Sequence, residues 1–497
     1  MNAEEGPFGG SRACFAELVG WLEGGEAAGL SHAELEDELD RRGRELLRQL
    51  FQGQLDLRAL RERRLDEVAD AAGVRHGAVE TGHTRPLGTI FGAVSVTRLA
   101  YRRRGHANLY PADGQLNLPQ EHHSHGLRRL AAIEGSRGSF EEATAAVGRT
   151  TGHKLGKRQV EALAGRAALD VEDFYATRRP PPGEGDDVLV ISADGKGIVM
   201  RPEALRPQTA REAKAATTKL KTRLSKGVKR SRKRLAEVGA VYDLTPVPRR
   251  ATDVMGGEQT GQPPAPAPVA KHKWVTASVV NDAAQVLREV FDEAERRDPT
   301  HTRTWVALVD GNNHQIDRIQ AEAADRGVDV TVVVDLVHVL EYLWGAAWCF
   351  FKEADPAAEA WVRHRALAVL DGKASHVAAG IPRRASSMGL SRTTRAKADA
   401  CARYLVNKAH YLDYPAALAS GWPIATGVIE GACRHLVKDR MDITGARWST
   451  EGAEAVLKLR AVRTNGDFKA YWHHHLERER TRVHASRYAD GVIPAAV

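Results

Sequence analysis

Apolar positions along the chain change their period several times, and each change predicts a different element. Over residues 12–80, Phe15, Leu18, Val19 and Leu22 fall on one face, and Leu35 to Leu60 continues against a charged opposite face. That period predicts helix, with a surface suited to oligomerisation or to capping the rest of the chain. From Gly88 to Tyr101 the pattern alternates, with β-branched residues and glycine punctuation, and is followed by Arg102-Arg103-Arg104. This predicts a small β element. Between Ser139 and about Ala176, two helical stretches flank Thr151-Gly152-His153, and Ser139 with Glu142 fits a capping box. The shape is that of a helix-turn-helix, which serves plain helix packing as well as recognition of a DNA groove.

Pro180-Pro181-Pro182-Gly183 interrupts the chain and marks a domain boundary near 180. Next comes Asp187 to Asp194, a buried-strand pattern. Residues 248–270, rich in Pro and Gly, read as an extended loop. From 271 the pattern alternates: strand over Trp274 to Val280, helix over Asp282 to Arg296, strand over Thr304 to Asp310, helix over His314 to Arg326 and strand over Val328 to Asp335. Such alternation predicts an α/β sheet with parallel members. Residues 336–420 read as mostly helical, Gly421-Trp422-Pro423 punctuates, and a helix is expected from Gly427 to about Met441. The resulting division is 1–80 helical, 81–180 β element with helix-turn-helix, 185–345 and 421–475 as the sheet-containing domain, 346–420 as an all-α insertion and 476–497 as a tail.

Length and composition fit this layout. The 497 residues correspond to about three domains at roughly 150 residues each, and 42% hydrophobic with 27% charged residues excludes wholesale disorder. Four cysteines (Cys14, Cys349, Cys401, Cys433) without a CxxC pair exclude a disulfide framework and a cysteine-built zinc finger. The start MNAEEGPFGG lacks a secretory pattern, and the most apolar stretch, Val328 to Phe351, carries Asp329, Asp335, His338 and Glu341. Neither export nor a membrane span is expected, and the location expected is the bacterial cytoplasm, on the nucleoid when bound to DNA.

Net charge is +8, from 72 Lys/Arg and 64 Asp/Glu. The segment 211–234 alone holds eleven Lys/Arg against Glu212. This run is either a solvated face or a set of phosphate contacts, with Lys229, Arg230, Arg232 and Lys233 as candidate DNA-binding residues. The basic balance favours a polyanionic partner.

Three acids stand where chemistry is expected. Asp194 and Asp310 each end an apolar strand, where open α/β sheets place ligands, and Glu430 lies early in a later helix, at spacings of 116 and 120 residues. Two Asp and one Glu brought together fit two-metal phosphoryl chemistry with Mg²⁺, which takes a few carboxylates and substrate phosphate. Asp335 competes with Asp310, since it too ends an apolar strand, and it precedes His338 by one helical turn. Helix N-cap and packed histidine are the plain alternatives for that pair. Neither a GxxxxGK[ST] loop nor a GxGxxG turn occurs, which disfavours nucleotide-driven enzymes.

The run Gly421-Trp-Pro-Ile-Ala-Thr-Gly-Val-Ile-Glu430-Gly-Ala-Cys-Arg-His-Leu-Val-Lys-Asp-Arg440-Met with Gly445-Ala-Arg-Trp-Ser449 resembles the ISKra group of bacterial insertion-sequence transposases. Further segments similar to that group are Ala193-Asp194-Gly-Lys-Gly, Lys233 to Tyr242, Val309-Asp310-Gly and Asp335-Leu-Val-His338 to Trp344. The resemblance covers roughly 185–475. It implies a Mutator-like DDE transposase with a ribonuclease-H-like mixed sheet, an all-α insertion and a mainly helical N-terminal region bearing the small β element. Asp194 is then on the first strand and Asp310 on the fourth. Asp194, Asp310 and Glu430 are implied to be the catalytic ligands of two Mg²⁺ ions, for which Mn²⁺ can substitute, while Asp335 and His338 take a supporting role and the basic segment falls between the second and third strands. Transposon terminal inverted repeats and target DNA are the implied partners, bound by a homo-oligomer in a synaptic complex, with no membrane involved.

Arg434 and Lys438, at i+4 and i+8 from Glu430, are expected on its helical face near scissile phosphates; Arg440 and Arg447 belong to the same run. Trp448 has a base-stacking and a packed alternative. His473-His474-His475 reads as a solvated helix end rather than a metal site, as do His122, His123 and His125. A non-catalytic, domesticated or decayed sequence-specific DNA-binding protein is the competing reading, and a host structure-specific nuclease is a third.

Overall fold

The computed structural model describes residues 6–180, 186–215, 232–256, 263–443 and 445–496. The chain separates into two compact units, Met1–Thr177 with Gly466–Val497, and Arg178–Asn465.

In the first unit, helices Gly9–Glu23 and His32–Arg61 precede two short strands, β1 (Val68–Ala69) and β2 (Arg75–His76), and a long antiparallel hairpin of β3 (Ala78–Thr89) and β4 (Gly92–Arg102). The alternation starting at Gly88 therefore belongs to the second strand of a hairpin whose turn is Ile90-Phe91. Trp21 is buried under the Arg42 guanidinium, 4.4 Å from its ring, whereas Phe15 (57%) and Leu22 (40%) stay exposed. Helices His125–Arg137, Phe140–Thr151 and Lys157–Ala167 pack around Leu127, Ala131, Val147, Leu155, Val160 and Leu163. The capping box is present: the Ser139 N–H donates to Glu142 (2.7 Å) and the Glu142 N–H to Ser139 Oγ (3.1 Å). The helix ends at Gly152 in the left-handed region.

Helix Phe468–Val483 and the residues after it group with this first unit rather than forming a tail. Tyr488 joins the core of Val68, Tyr101 and Leu109, and the Arg63 N–H donates to the Ala496 carbonyl (2.6 Å). His475 is fully buried, bonded through Nδ1 to Asp170 (2.7 Å), beside Arg128, which is paired with Glu479 at 3.1 Å. This corrects the solvated reading for His475, which the helix turns inward to a buried partner, while His473 is exposed as expected and His474 is half-buried. His125 is likewise half-buried, with Nε2 against the Asn117 carbonyl (2.7 Å).

The second unit is built on a five-stranded mixed sheet, giving a mixed α/β architecture. Its strands are β5 (Val188–Val199), β6 (Lys233–Leu244), β7 (Ala270–Ser278), β8 (Trp305–Val309) and β9 (Val330–Val334), in spatial order β7-β6-β5-β8-β9. β6 runs antiparallel to both neighbours, and β5, β8 and β9 are mutually parallel. Apolar runs such as Trp305–Val309, buried at every position, suit central strands covered on both faces. Helix Ala283–Arg297 lies over β6, and Gly239 makes the approach feasible: a Cβ there would stand 2.4 Å from Val290 Cγ2.

The basic segment connects β5 to β6, the first and second strands, not the second and third. Of its candidate DNA-binding residues, Lys229 and Arg230 lie outside the described residues. Lys233 is exposed at the start of β6 opposite Val199, and Arg232 is half-buried beside it. Between β9 and residue 420 the chain is helical, with Leu336–Ala347, Pro356–Leu370, Ala374–Ser387, Ala396–Asn407 and Tyr414–Ala419. Among the described residues no helix is long and apolar enough to cross a membrane.

Candidate active site

The parallel registers converge on three aspartates. Leu189, Val190 and Ile191 pair with Trp305, Val306 and Ala307, so three residues further along each chain Asp194 stands level with Asp310. Val309 pairs with Val334, which sets Asp310 level with Asp335. Strands lie about 4.8 Å apart, so the three acids form a row; Asp310 and Asp335 directly follow β8 and β9, whereas Asp194, expected to end its strand, lies in the middle of β5, which runs on to Val199.

The three differ in what holds them. Asp194 and Asp310, both partly exposed, line one cavity of about 470 Å³ together with Glu237, Asp282, Arg206 and Arg318. The Asp310 turn is stiff. Its Oδ1 accepts the Asn312 N–H (2.8 Å), and Asn312 in turn caps helix Asn313–Arg326 through the His314 N–H (3.0 Å). Gly311 between them has φ +91°, and a Cβ there would meet Tyr404 Oη at 2.7 Å; only glycine tolerates both conditions. Tyr404 Oη donates to the Asp310 carbonyl (3.1 Å), and Lys408 donates to Asn313. The helical insertion thereby braces the cavity, a role no sequence signal indicates.

Asp335 is buried and saturated. It accepts the Val337 N–H (2.9 Å) as a helix cap, the Thr426 N–H (3.3 Å) and Thr426 Oγ1 (2.5 Å), and it faces His338 Nδ1 (3.1 Å). Burial alone raises its pKa, but the hydrogen bonds from His338, Thr426 and Val337 outweigh burial and hold it below the ordinary carboxylate value. The His338 imidazole is raised, chiefly by its hydrogen bond to Asp335 and less by the charges of Asp335 and Asp310. With no lone pair left facing the cavity, Asp335 is placed as a strut that ties β9 to the segment before helix Gly427–Ala432.

That helix carries Glu430, which is exposed. Three residues on, and so on the same face, the Cys433 thiol donates to Asp194 Oδ2 (3.3 Å). Burial, then the Asp194 charge and hydrogen bond, push the thiol pKa far above its ordinary value. The structure therefore brings Asp194 and Asp310 into one cavity and sets Glu430 one turn from the residue touching Asp194, outside the cavity lining.

From Cys433 to Lys438 the helix widens to a π-helix before resuming at Asp439–Met441. Consequently the i+4 and i+8 placement of Arg434 and Lys438 does not hold, because α-helical spacing lapses across a π segment. Both remain exposed, Arg434 loosely paired with Asp439 (3.9 Å). Arg440 is buried (2%) with its guanidinium 4.6 Å from the Trp448 ring, so it is a packing residue and not a surface contact. Trp448 is packed, donating from Nε1 to the Met441 carbonyl (3.0 Å). Arg447 is exposed.

Two further acids line the cavity without any local sequence signal. Glu237 on β6 lies opposite Gly195. Its pKa is raised mainly by burial, with Arg206 and Arg318 opposing and Asp194 and Asp282 adding to the rise. Asp282 caps helix Ala283–Arg297. The cavity thus gathers four carboxylates with Arg206 and Arg318, but they are not drawn to coordination distance: among the described residues only Asp70, His76 and His106 place three ligand atoms within 4.8 Å of one another. No protein-family model matches the chain, and no curated protein matches it.

Proposed function

We propose that the chain is a DDE transposase of an insertion sequence, in which Asp194, Asp310 and Glu430 hold two Mg²⁺ ions, with Mn²⁺ able to substitute, for cleavage and transfer of DNA strands. The observation that carries this reading is the level placement of Asp194, within β5, and Asp310, at the end of the adjacent parallel strand β8, opening into one acidic cavity. A ribonuclease-H-like sheet is supported by the strand order β7-β6-β5-β8-β9 with β6 reversed, which puts Asp194 on the first strand and Asp310 on the fourth. When bound, the ions neutralise the scissile phosphate and activate the attacking oxygen.

The chain's own residues do the positioning. Asp310 is fixed by Gly311, Asn312 and Tyr404. The Asp335–Thr426 link sets where the Glu430 helix begins, and Cys433 docks that helix on Asp194. Arg206 and Arg318 at the cavity supply positive charge to a phosphate backbone. In the first unit, helix Lys157–Ala167 exposes Lys157, Arg158 and Gln159 in its first turn, the part of a second helix that meets base edges in helix-turn-helix recognition. The exposed apolar Phe15 and Leu22 favour assembly into a homo-oligomer that pairs two transposon ends.

The test is incubation of the protein with DNA carrying the flanks of its own gene, with Mg²⁺ or Mn²⁺. Strand breaks at the element boundary are expected. Tight binding of those ends without any break, under either metal, would favour the alternative of a non-catalytic DNA-binding protein.

A further inference from the structure

We propose that Asp70, His76 and His106, in the first unit, form a binding site for one divalent transition-metal ion, Zn²⁺ by the chemistry of its ligands. One ligand atom of each residue lies within 4.8 Å of the others. Asp70 Oδ2 stands 3.3 Å from His76 Nε2 and 3.3 Å from His106 Nδ1. Two ligands each about 2.0–2.1 Å from a tetrahedral ion are about 3.3–3.4 Å apart, whereas a charge-assisted N–H···O bond closes to about 2.7–2.9 Å. The spacing is that of an ion's coordination edge.

The contacts of the buried imidazole point the same way. His76 is fully buried, and both of its ring nitrogens face acceptors: Nδ1 the Tyr101 carbonyl (3.3 Å) and Nε2 the Asp70 carboxylate. One ring N–H can serve only one of those two acceptors, and a metal ion between Nε2 and Asp70 would satisfy the other pair. With Nδ1–H given to Tyr101, Nε2 is free to bind a metal, the arrangement that outer partners impose on metal-binding histidines. Asp70 is held equally firmly, because its Oδ1 accepts the N–H groups of Ala72 and Val74 (2.9 Å each). His106, 40% exposed, leaves a fourth position open to water.

Such an ion would join three segments: the β1–β2 turn, β2 and the loop after β4. Asp70 also bridges to Tyr488, and the Ala71 N–H donates to the Arg487 carbonyl (3.0 Å). Binding therefore stabilises the closure of this unit, independently of the carboxylate cavity.

The test uses the full chain, stripped with chelator and titrated with Co²⁺ as a coloured probe. One Co²⁺ per chain with a tetrahedral visible band, displaced by one equivalent of Zn²⁺, is expected, and Zn²⁺ should raise the thermal midpoint. The His106→Gln variant, altered at an exposed side chain, should bind at least tenfold more weakly, while Asp194→Asn should keep the band unchanged and so separate this site from the acidic cavity. Absence of binding in the wild type, or wild-type affinity in His106→Gln, would overturn the proposal and leave the His76–Asp70 contact as a plain hydrogen bond.

Discussion

Thr426 donates to Asp335 twice, from its backbone N–H and from its hydroxyl, across 91 residues of chain. Glu430 follows Thr426 by four positions, so the pairing fixes where the acid-bearing helix begins relative to Asp194 within β5 and Asp310 after β8. It also assigns Asp335 to architecture.

Replacing Thr426 with Val removes the hydroxyl donor from a buried carboxylate while keeping the shape. A loss of about 1–3 kcal/mol of stability is expected, measured by urea unfolding, together with reduced strand cleavage. Thr426→Ser, which keeps the hydroxyl, should restore most of both; failure of Ser to rescue would show that the methyl group, not the bond, matters.

The pH dependence of this joint follows from its two shifts. His338 is raised above its ordinary 6.5, so its pairing with Asp335 stabilises the fold fully below that value and is lost as pH rises through the raised folded-state pKa. Asp335 is held below its ordinary 3.8, so its contribution is present above that value and is lost as pH falls through the depressed one. In Asp335→Asn the His338 pKa, followed by NMR, should fall towards 6.5. An unchanged titration would mean that another group raises it.

Gly311→Ala should cost on the order of 1–3 kcal/mol, since φ +91° strains any Cβ and that Cβ meets Tyr404 Oη. Tyr404→Phe removes the nearest atom and the bond to the Asp310 carbonyl. The double variant should therefore lose less stability than the sum of the two singles, a coupling read from a double-mutant cycle. Strict additivity would contradict the close approach.

Arg440→Gln should destabilise the protein without altering the salt dependence of DNA binding, because the guanidinium is buried against Trp448. By contrast, neutralising the exposed Arg434 and Lys438 should weaken DNA affinity and flatten that dependence by up to about one unit of slope for each phosphate the pair neutralises. Binding assays over a salt series distinguish the two.

Much of the second unit is legible in the sequence because its strands are strongly β-forming: Trp305–Val309 is buried at every position and closed by Asp310, and the edge strand Val330–Val334, though only partly buried, is β-branched throughout and closed by Asp335. Strand β3 is not, since Ala78 to Pro86 is largely solvent-facing and lacks alternation. Residue types likewise carry no record of the π segment at Cys433–Lys438, which moves the basic residues off the expected face. Glu237 joins the cavity through register with Gly195, and Arg128 meets Glu479 across 351 residues. Such pairings come from topology, not from local spacing. Asp310 is recognisable because a strand end is a local signal, whereas Asp194 lies inside β5, which continues to Val199, and the difference between Asp310 and Asp335 depends on Thr426.

The decisive measurement is strand cleavage of a plasmid bearing the gene's own flanking ends, compared among wild type, Asp310→Asn and Asp335→Asn in Mg²⁺. Boundary cleavage is predicted for the wild type, none for Asp310→Asn despite retained DNA binding, and reduced but metal-dependent cleavage for Asp335→Asn in proportion to its folded fraction. Wild-type-like cleavage by Asp310→Asn, or complete loss in a fully folded Asp335→Asn, would contradict the assignment of Asp310 to the metal site and of Asp335 to the scaffold.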